Sequence, residues 1–153
     1  MADRYQLGYL RLRFQDDGDG TGKLSASAEA RGFAGKGAAW FGISNIEEFA
    51  TAAAAFPLPA DKQIGLSGGF WKDHKLEQEH LAIEIYQVDS RGHVGVQVRA
   101  STELWGNARK QSQLTTKLEI ITSYQRLLHF SEGLHDLVNG RSEEVLLEGE
   151  FFD

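Results

Sequence analysis

Apolar and polar residues alternate at period 2 over residues 5–14, where Leu10, Leu12 and Phe14 are spaced by Tyr9, Arg11 and Arg13. That is the signature of a half-buried strand. The run Asp16-Asp17-Gly18-Asp19-Gly20 reads as a hairpin turn, and a strand returns over 23–31. A short strand over 38–43 follows. Ser44 and Glu47 have capping-box spacing, predicting a helix over 45–56 that Pro57 and Pro59 stop. A strand over 62–70 closes this half. The second half has the same order. Strands over 80–88 and 93–102 flank Asp89-Ser90-Arg91-Gly92, and a third spans 113–121. Thr122 and Gln125 suggest a capping box for a helix over 123–138, with Leu127, Phe130, Leu134 and Leu137 as its apolar stripe. Asn139-Gly140 ends it, and 143–151 is the last strand.

The two halves share more than element order. Ile64, Leu66, Gly68 and Phe70 recur as Val145, Leu147, Gly149 and Phe151, at an offset of 81. The same offset carries Ile46 to Leu127 and Phe49 to Phe130. Upstream it falls to about 71, taking Leu10 and Leu12 to Leu81 and Ile83, and to 70 for Gly22, Leu24, Ala26 and Ala28 against Gly92, Val94, Val96 and Val98. Some eleven extra residues are expected around 103–112. The expected fold is α+β, one domain over 1–153. Mostly antiparallel strands would form one or two sheets under two covering helices. It would arise by internal duplication of a β-β-β-α-β unit, at 4–70 and 79–151.

Composition narrows the chemistry. The chain has 153 residues and no cysteine, which excludes disulfides, thiolate metal sites and cysteine nucleophiles. Sixteen basic and 22 acidic residues leave a net charge of −6, and the excess lies in residues 77–153. Such a balance disfavours nucleic acid and favours a basic protein partner. No apolar run approaches the roughly 20 residues of a membrane span, so a cytoplasmic location without membrane contact is expected.

Candidate sites are few. The Asp16–Gly20 run lacks the bidentate Glu of an EF-hand loop, since Ser27 or Ala28 stands at the required position. Asp73, His74, Glu77, Glu79 and His80 are the densest set of metal-ligand types, but they fall in what reads as an exposed connector. No nucleophile elbow, Walker loop or HExxH motif occurs. No cofactor, metal site or catalytic residue is therefore expected, and the chain is not read as an enzyme.

The outer faces of the matching strands differ. With Ile64, Leu66 and Phe70 inward, the first copy presents Gly65, Ser67 and Gly69. The second presents Glu144, Leu146, Glu148 and Glu150, an acidic strip with an apolar centre. That strip is the candidate partner surface, and edge-strand protection by charge explains the same residues. Trp105, in the loop 104–107, is expected to be exposed and is the further candidate contact. Trp40 is expected to be partly buried.

Residues 81–149 resemble small bacterial immunity proteins of the WapI type, from polymorphic toxin systems. The resemblance rests on Asp89-Ser90-Arg91-Gly92-His93-Val94, the alternating strand 94–98, and the spacing of Leu127, Phe130, Leu134 and Leu137. It covers under half of the chain. It implies a cytoplasmic, non-catalytic protein that binds and blocks a toxin, with no catalytic residues to carry over. The alternative is a small-molecule-binding or enzymatic domain with a pocket between the halves. A third reading is a homo-oligomer joined through strand edges.

Overall fold

The computed structural model describes residues 7–150, so Tyr5 and Phe151 lie outside the described residues. The order is β1 (Tyr9–Asp16), β2 (Thr21–Ala30), β3 (Phe33–Gly42), α1 (Ile43–Ala53), β4 (Ile64–Lys72), β5 (Lys75–Gln87), β6 (His93–Ser101), β7 (Thr115–Ser123), α2 (Tyr124–Val138) and β8 (Val145–Glu148). A single 3-10 turn, Lys110–Ser112, lies between β6 and β7. The fold is α+β, with two four-stranded antiparallel sheets.

The sheets do not divide the chain at its middle. One has the order β3-β2-β1-β8 and the other β4-β5-β6-β7. Each half therefore sends its closing strand into the sheet of the other half. The two orders match when every strand is replaced by its counterpart in the other half. The pairing register departs from the repeat by two residues. Leu10 faces Ala28 while Leu81 faces Ala100, so the counterpart of Ala28 is Ala100 rather than Val98. An even shift leaves each side chain on its face, which is why the hydrophobic pattern conceals it.

One core serves both sheets. Leu10, Leu12 and Leu24 meet Ile83, Ile85, Val96 and Ile120 in it, together with Ile46 and Phe49 of α1 and Leu127, Phe130 and Leu134 of α2. β2 shows strict alternation along all ten residues, with Gly22, Leu24, Ala26, Ala28 and Ala30 buried. Small residues in β2 and β3 let the sheets approach closely. An added Cβ at Gly37 would stand 2.6 Å from the His80 carbonyl and 2.9 Å from Ala100 Cβ.

Several local expectations are corrected. α1 starts at Ile43 with Gly42 as its N-cap and no side-chain cap, so Ser44 sits inside the first turn rather than closing a box with Glu47. Ser123, not Thr122, caps α2, accepting from Arg126 N at 3.3 Å. β3 has ten residues, well beyond the short strand expected. The presumed connector around 71–80 is instead the tight β4–β5 hairpin, turned through Asp73 and His74 at φ 51° and 64°. The extra residues of the second half lie where expected. The loop 102–114 replaces the two-residue turn Arg31-Gly32 of the first half. The run 16–20 is a hairpin turn in which Asp16 Oδ1 accepts from Gly18 N, and Asp19 Oδ1 from Thr21 N and Oγ1.

Candidate functional site

The two sheets meet along two seams, and the seams are not alike. At one, the chain beyond β8 bridges the sheets: Gly149 N donates to Gly8 O at 3.0 Å and Glu150 N to Ile121 O at 2.9 Å. Thr122 Oγ1 adds a bond to Glu148 O at 2.9 Å. At the sequence offset of 81, Glu150, Ile121 and Thr122 align with Gly69, Trp40 and Phe41. Among the described residues no hydrogen bond joins β3 to β4. Phe41 has no hydroxyl to donate, and its ring instead covers Gly68. The β3/β4 seam is thus packed but not bonded.

The shape of β4 opens this seam further. Its pairing with β5 shifts between Gly68 and Gly69 and again between Phe70 and Trp71. Gly69 lies so close to the Gln78 carbonyl that any side chain there would collide with it. These bulges break the alternation. Leu66 and Gly68 point inward, but Phe70 is 47% exposed, not in the core as the I-x-L-x-G-x-F pattern suggests. Trp71 beside it is 51% exposed. Across the seam Trp40 is 52% exposed, more than expected, and Lys23 Nζ stands 5.4 Å from its ring centroid. The loop 102–114 adds Trp105, 73% exposed as its loop position implied.

Four aromatic side chains therefore rim one seam, and cavities open on both sides of Trp40. One, of about 620 Å³, runs along α1 and β4 past Asn45, Glu48, Ser67 and Trp71. The other, of about 430 Å³, lies under the 102–114 loop between Trp40, Phe70, His80 and Trp105. The second has a rigid floor. His80 is buried in β5 and its Nε2 lies 2.9 Å from Gln78 Oε1. Gln78 is clamped to the loop from both ends of its amide. Its Nε2 donates to Leu104 O at 3.1 Å, and its Oε1 accepts from Leu104 N at 3.2 Å.

The acidic strip has a different character. Glu144, Leu146 and Glu148 do face outward from β8. Glu144 is held by Arg11 Nε at 3.3 Å and Arg13 Nη2 at 3.5 Å, and Glu150 by Arg126 Nε at 3.1 Å. The chain's own arginines neutralise much of the charge that made the strip a candidate, and Leu146 is its one apolar member. Trp105 lies elsewhere, at the aromatic seam, so the five candidate residues do not form one surface. Asp73, His74 and His80 do not converge either, because His74 is in the hairpin turn and His80 in the core. Among the described residues no three His, Cys, Asp or Glu side chains gather as metal ligands would.

Two further groups are electrostatically marked. Arg99 bridges Glu79 at 2.8 Å and Glu84 at 3.0 Å, and these bonds push its pKa further above the ordinary range. Burial, then the bond to Glu119, raises the Tyr86 hydroxyl well above its usual value. Both lie on the outer face of the β4–β7 sheet and stiffen it. Sequence reasoning named Trp105 as a contact but not Trp40, Phe70 or Trp71, and weighed His80 only as a metal-ligand type. The signal that was available is the pair of adjacent glycines, Gly68-Gly69, ahead of two aromatics, because glycine inside a strand often marks a bulge. No helix among the described residues is long and apolar enough to cross a membrane. Compared with protein families, curated proteins and solved structures, the chain matches none.

Proposed function

We propose that the chain is a non-catalytic binding protein that docks a protein partner on the aromatic seam between β3, β4 and the 102–114 loop. The observation that carries this reading is the convergence of Trp40, Phe70, Trp71 and Trp105, each about half exposed or more, on one seam. Exposed apolar clusters of this kind mark interaction sites, and tryptophan is enriched among the residues that dominate binding energy. The WapI-type resemblance makes the partner a toxin that the chain would neutralise. The two halves are read as copies of one duplicated unit, with the docking seam placed where the copies differ.

The test is affinity capture from source lysate with three forms of the tagged chain: wild type, Trp40→Ala/Trp105→Ala, and Glu144→Lys/Glu148→Lys/Glu150→Lys. The expected result is one stoichiometric partner, lost in the aromatic variant and kept in the acidic one. If the acidic variant alone loses it, the seam is the wrong surface. If none captures a stoichiometric partner, the binding reading fails. Relief of the captured protein's toxicity on co-expression would support the immunity role, and unchanged toxicity would remove it.

The 430 Å³ cavity favours a second reading, a small-molecule site between the halves, since its volume falls in the range of roughly 300–1,000 Å³ typical of ligand pockets. A metabolite that raises the melting temperature in a concentration-dependent way would support it.

A further inference from the structure

We infer that the cavity under the 102–114 loop is the socket for one arginine side chain of a protein partner. This rests on the docking reading above and names the chemistry of the anchor. Apart from the indole N–H groups of Trp40 and Trp105, the free side-chain polar groups of the cavity are hydrogen-bond acceptors. Gln78 is oriented by its two bonds to Leu104, so its Oε1 can only accept, and His80 Nε2 must carry the hydrogen that points to it. In the neutral ring Nδ1 is then an acceptor, and it has no partner among the described residues. The Glu103 carboxylate, which also lines the cavity, is in the same position.

The rest of the lining combines the aromatic rings of Trp40, Phe70 and Trp105 with Gly69, Leu104 and Gly106. An anion here would meet the like charge of the Glu103 carboxylate. An aliphatic anchor would strip water from Nδ1 and the carboxylate without supplying a donor. A guanidinium is flat, stacks on aromatic faces, carries five donors and keeps its charge. A lysine anchor would bring charge without a planar face. The chain's net charge of −6 favours a basic partner overall.

The experiment uses the full chain and two probes of nearly equal shape, N-acetyl-L-argininamide and its neutral isostere N-acetyl-L-citrullinamide. Each is titrated while NMR follows the indole N–H resonances of Trp40 and Trp105 and the ring nitrogens of His80. The arginine probe should shift all three saturably, with an affinity on the order of millimolar for a lone side chain. The citrulline probe should bind at least about fivefold more weakly. Glu103→Gln should weaken the arginine probe by roughly two- to fivefold, and raised salt should do the same to the wild type. Trp105→Ala, at an exposed loop position, should weaken both probes.

Equal binding of the two probes, an unmoved His80, or no effect of either substitution overturns the arginine socket. Because no partner is needed, that failure is separate from failure of the docking reading. Arginine binding without any captured partner would instead count against docking.

Discussion

Ser131 Oγ donates a 2.6 Å hydrogen bond to the carbonyl of Ala50, and the two residues occupy the same position in the two halves of the chain. Their helices cross there, both residues being buried. Ala50 lies in the last turn of α1, where carbonyls lack their usual partner four residues on. Ala54 N goes to Thr51 O instead. Ser131 fills that gap from the other helix. Ser131→Ala should leave a buried carbonyl unsatisfied and cost about 1–3 kcal/mol. Calorimetry should show a melting temperature several degrees lower, and an unchanged value would mean that the carbonyl finds another donor.

Gly68 and Gly65 offer a matched pair in β4. A Cβ at Gly68 would stand 2.7 Å from the Phe41 ring and 3.1 Å from Ala39 Cβ, both in the core. At Gly65 it would meet only Glu84 Cγ at 3.5 Å and Ile83 O at 3.7 Å, ordinary contacts. Gly68→Ala should therefore destabilise by about 1–3 kcal/mol. Gly65→Ala should be neutral or stabilising by up to about 1 kcal/mol, through lost freedom of the unfolded chain. Urea titration of both variants checks the contrast.

Reversing the acidic strip should be felt in stability. Glu144→Lys would place a cation against Arg11 and Arg13, and Glu150→Lys one against Arg126. Exposed pairs of this kind contribute about 0.2–1 kcal/mol each, so the triple lysine variant should unfold at lower urea than wild type. Added salt should narrow the difference. A variant as stable as wild type at low salt would show that these ion pairs contribute nothing.

Asp19 should report acid destabilisation at the first hairpin. The Thr21 hydroxyl, then the Thr21 amide, hold its carboxyl below the ordinary value. A carboxylate with a lowered folded pKa stabilises the fold above its unfolded pKa, and that contribution is lost as pH falls through the folded value. Asp19→Asn should be less stable than wild type near neutrality, and the two should converge on acidification below about pH 4. A difference that stays constant with pH would place the effect in the turn backbone rather than in the charge.

The elements were legible because burial imposes its period directly. The alternation of β2 and the stripe Leu127, Phe130, Leu134 and Leu137 appear in the fold as they do in the chain. The exchange of closing strands was not legible. Val145 and Leu147 would have one face to bury beside β1 or beside β5, and hydrophobicity does not distinguish the two. The site was hidden for a related reason. Phe70 keeps the phase of a core residue, and only the backbone crowding of Gly69 against Gln78 turns it outward. Glu144 and Glu150 looked like a free acidic surface because their arginine partners lie far away in sequence.

The exchange of β4 and β8 also bears on synthesis. The β3-β2-β1-β8 sheet pairs Leu12 with Val145 and Leu10 with Leu147, so its β1 edge stays bare until residues 145–148 are translated. The β4–β7 sheet closes as soon as β7 has emerged. Folding that follows the ribosome would complete the later sheet first and leave the outer edge of β1 waiting, its backbone donors and acceptors open to any other strand in reach. The nascent chain is thus vulnerable to mispairing at β1, and the arrival of β8 removes that hazard.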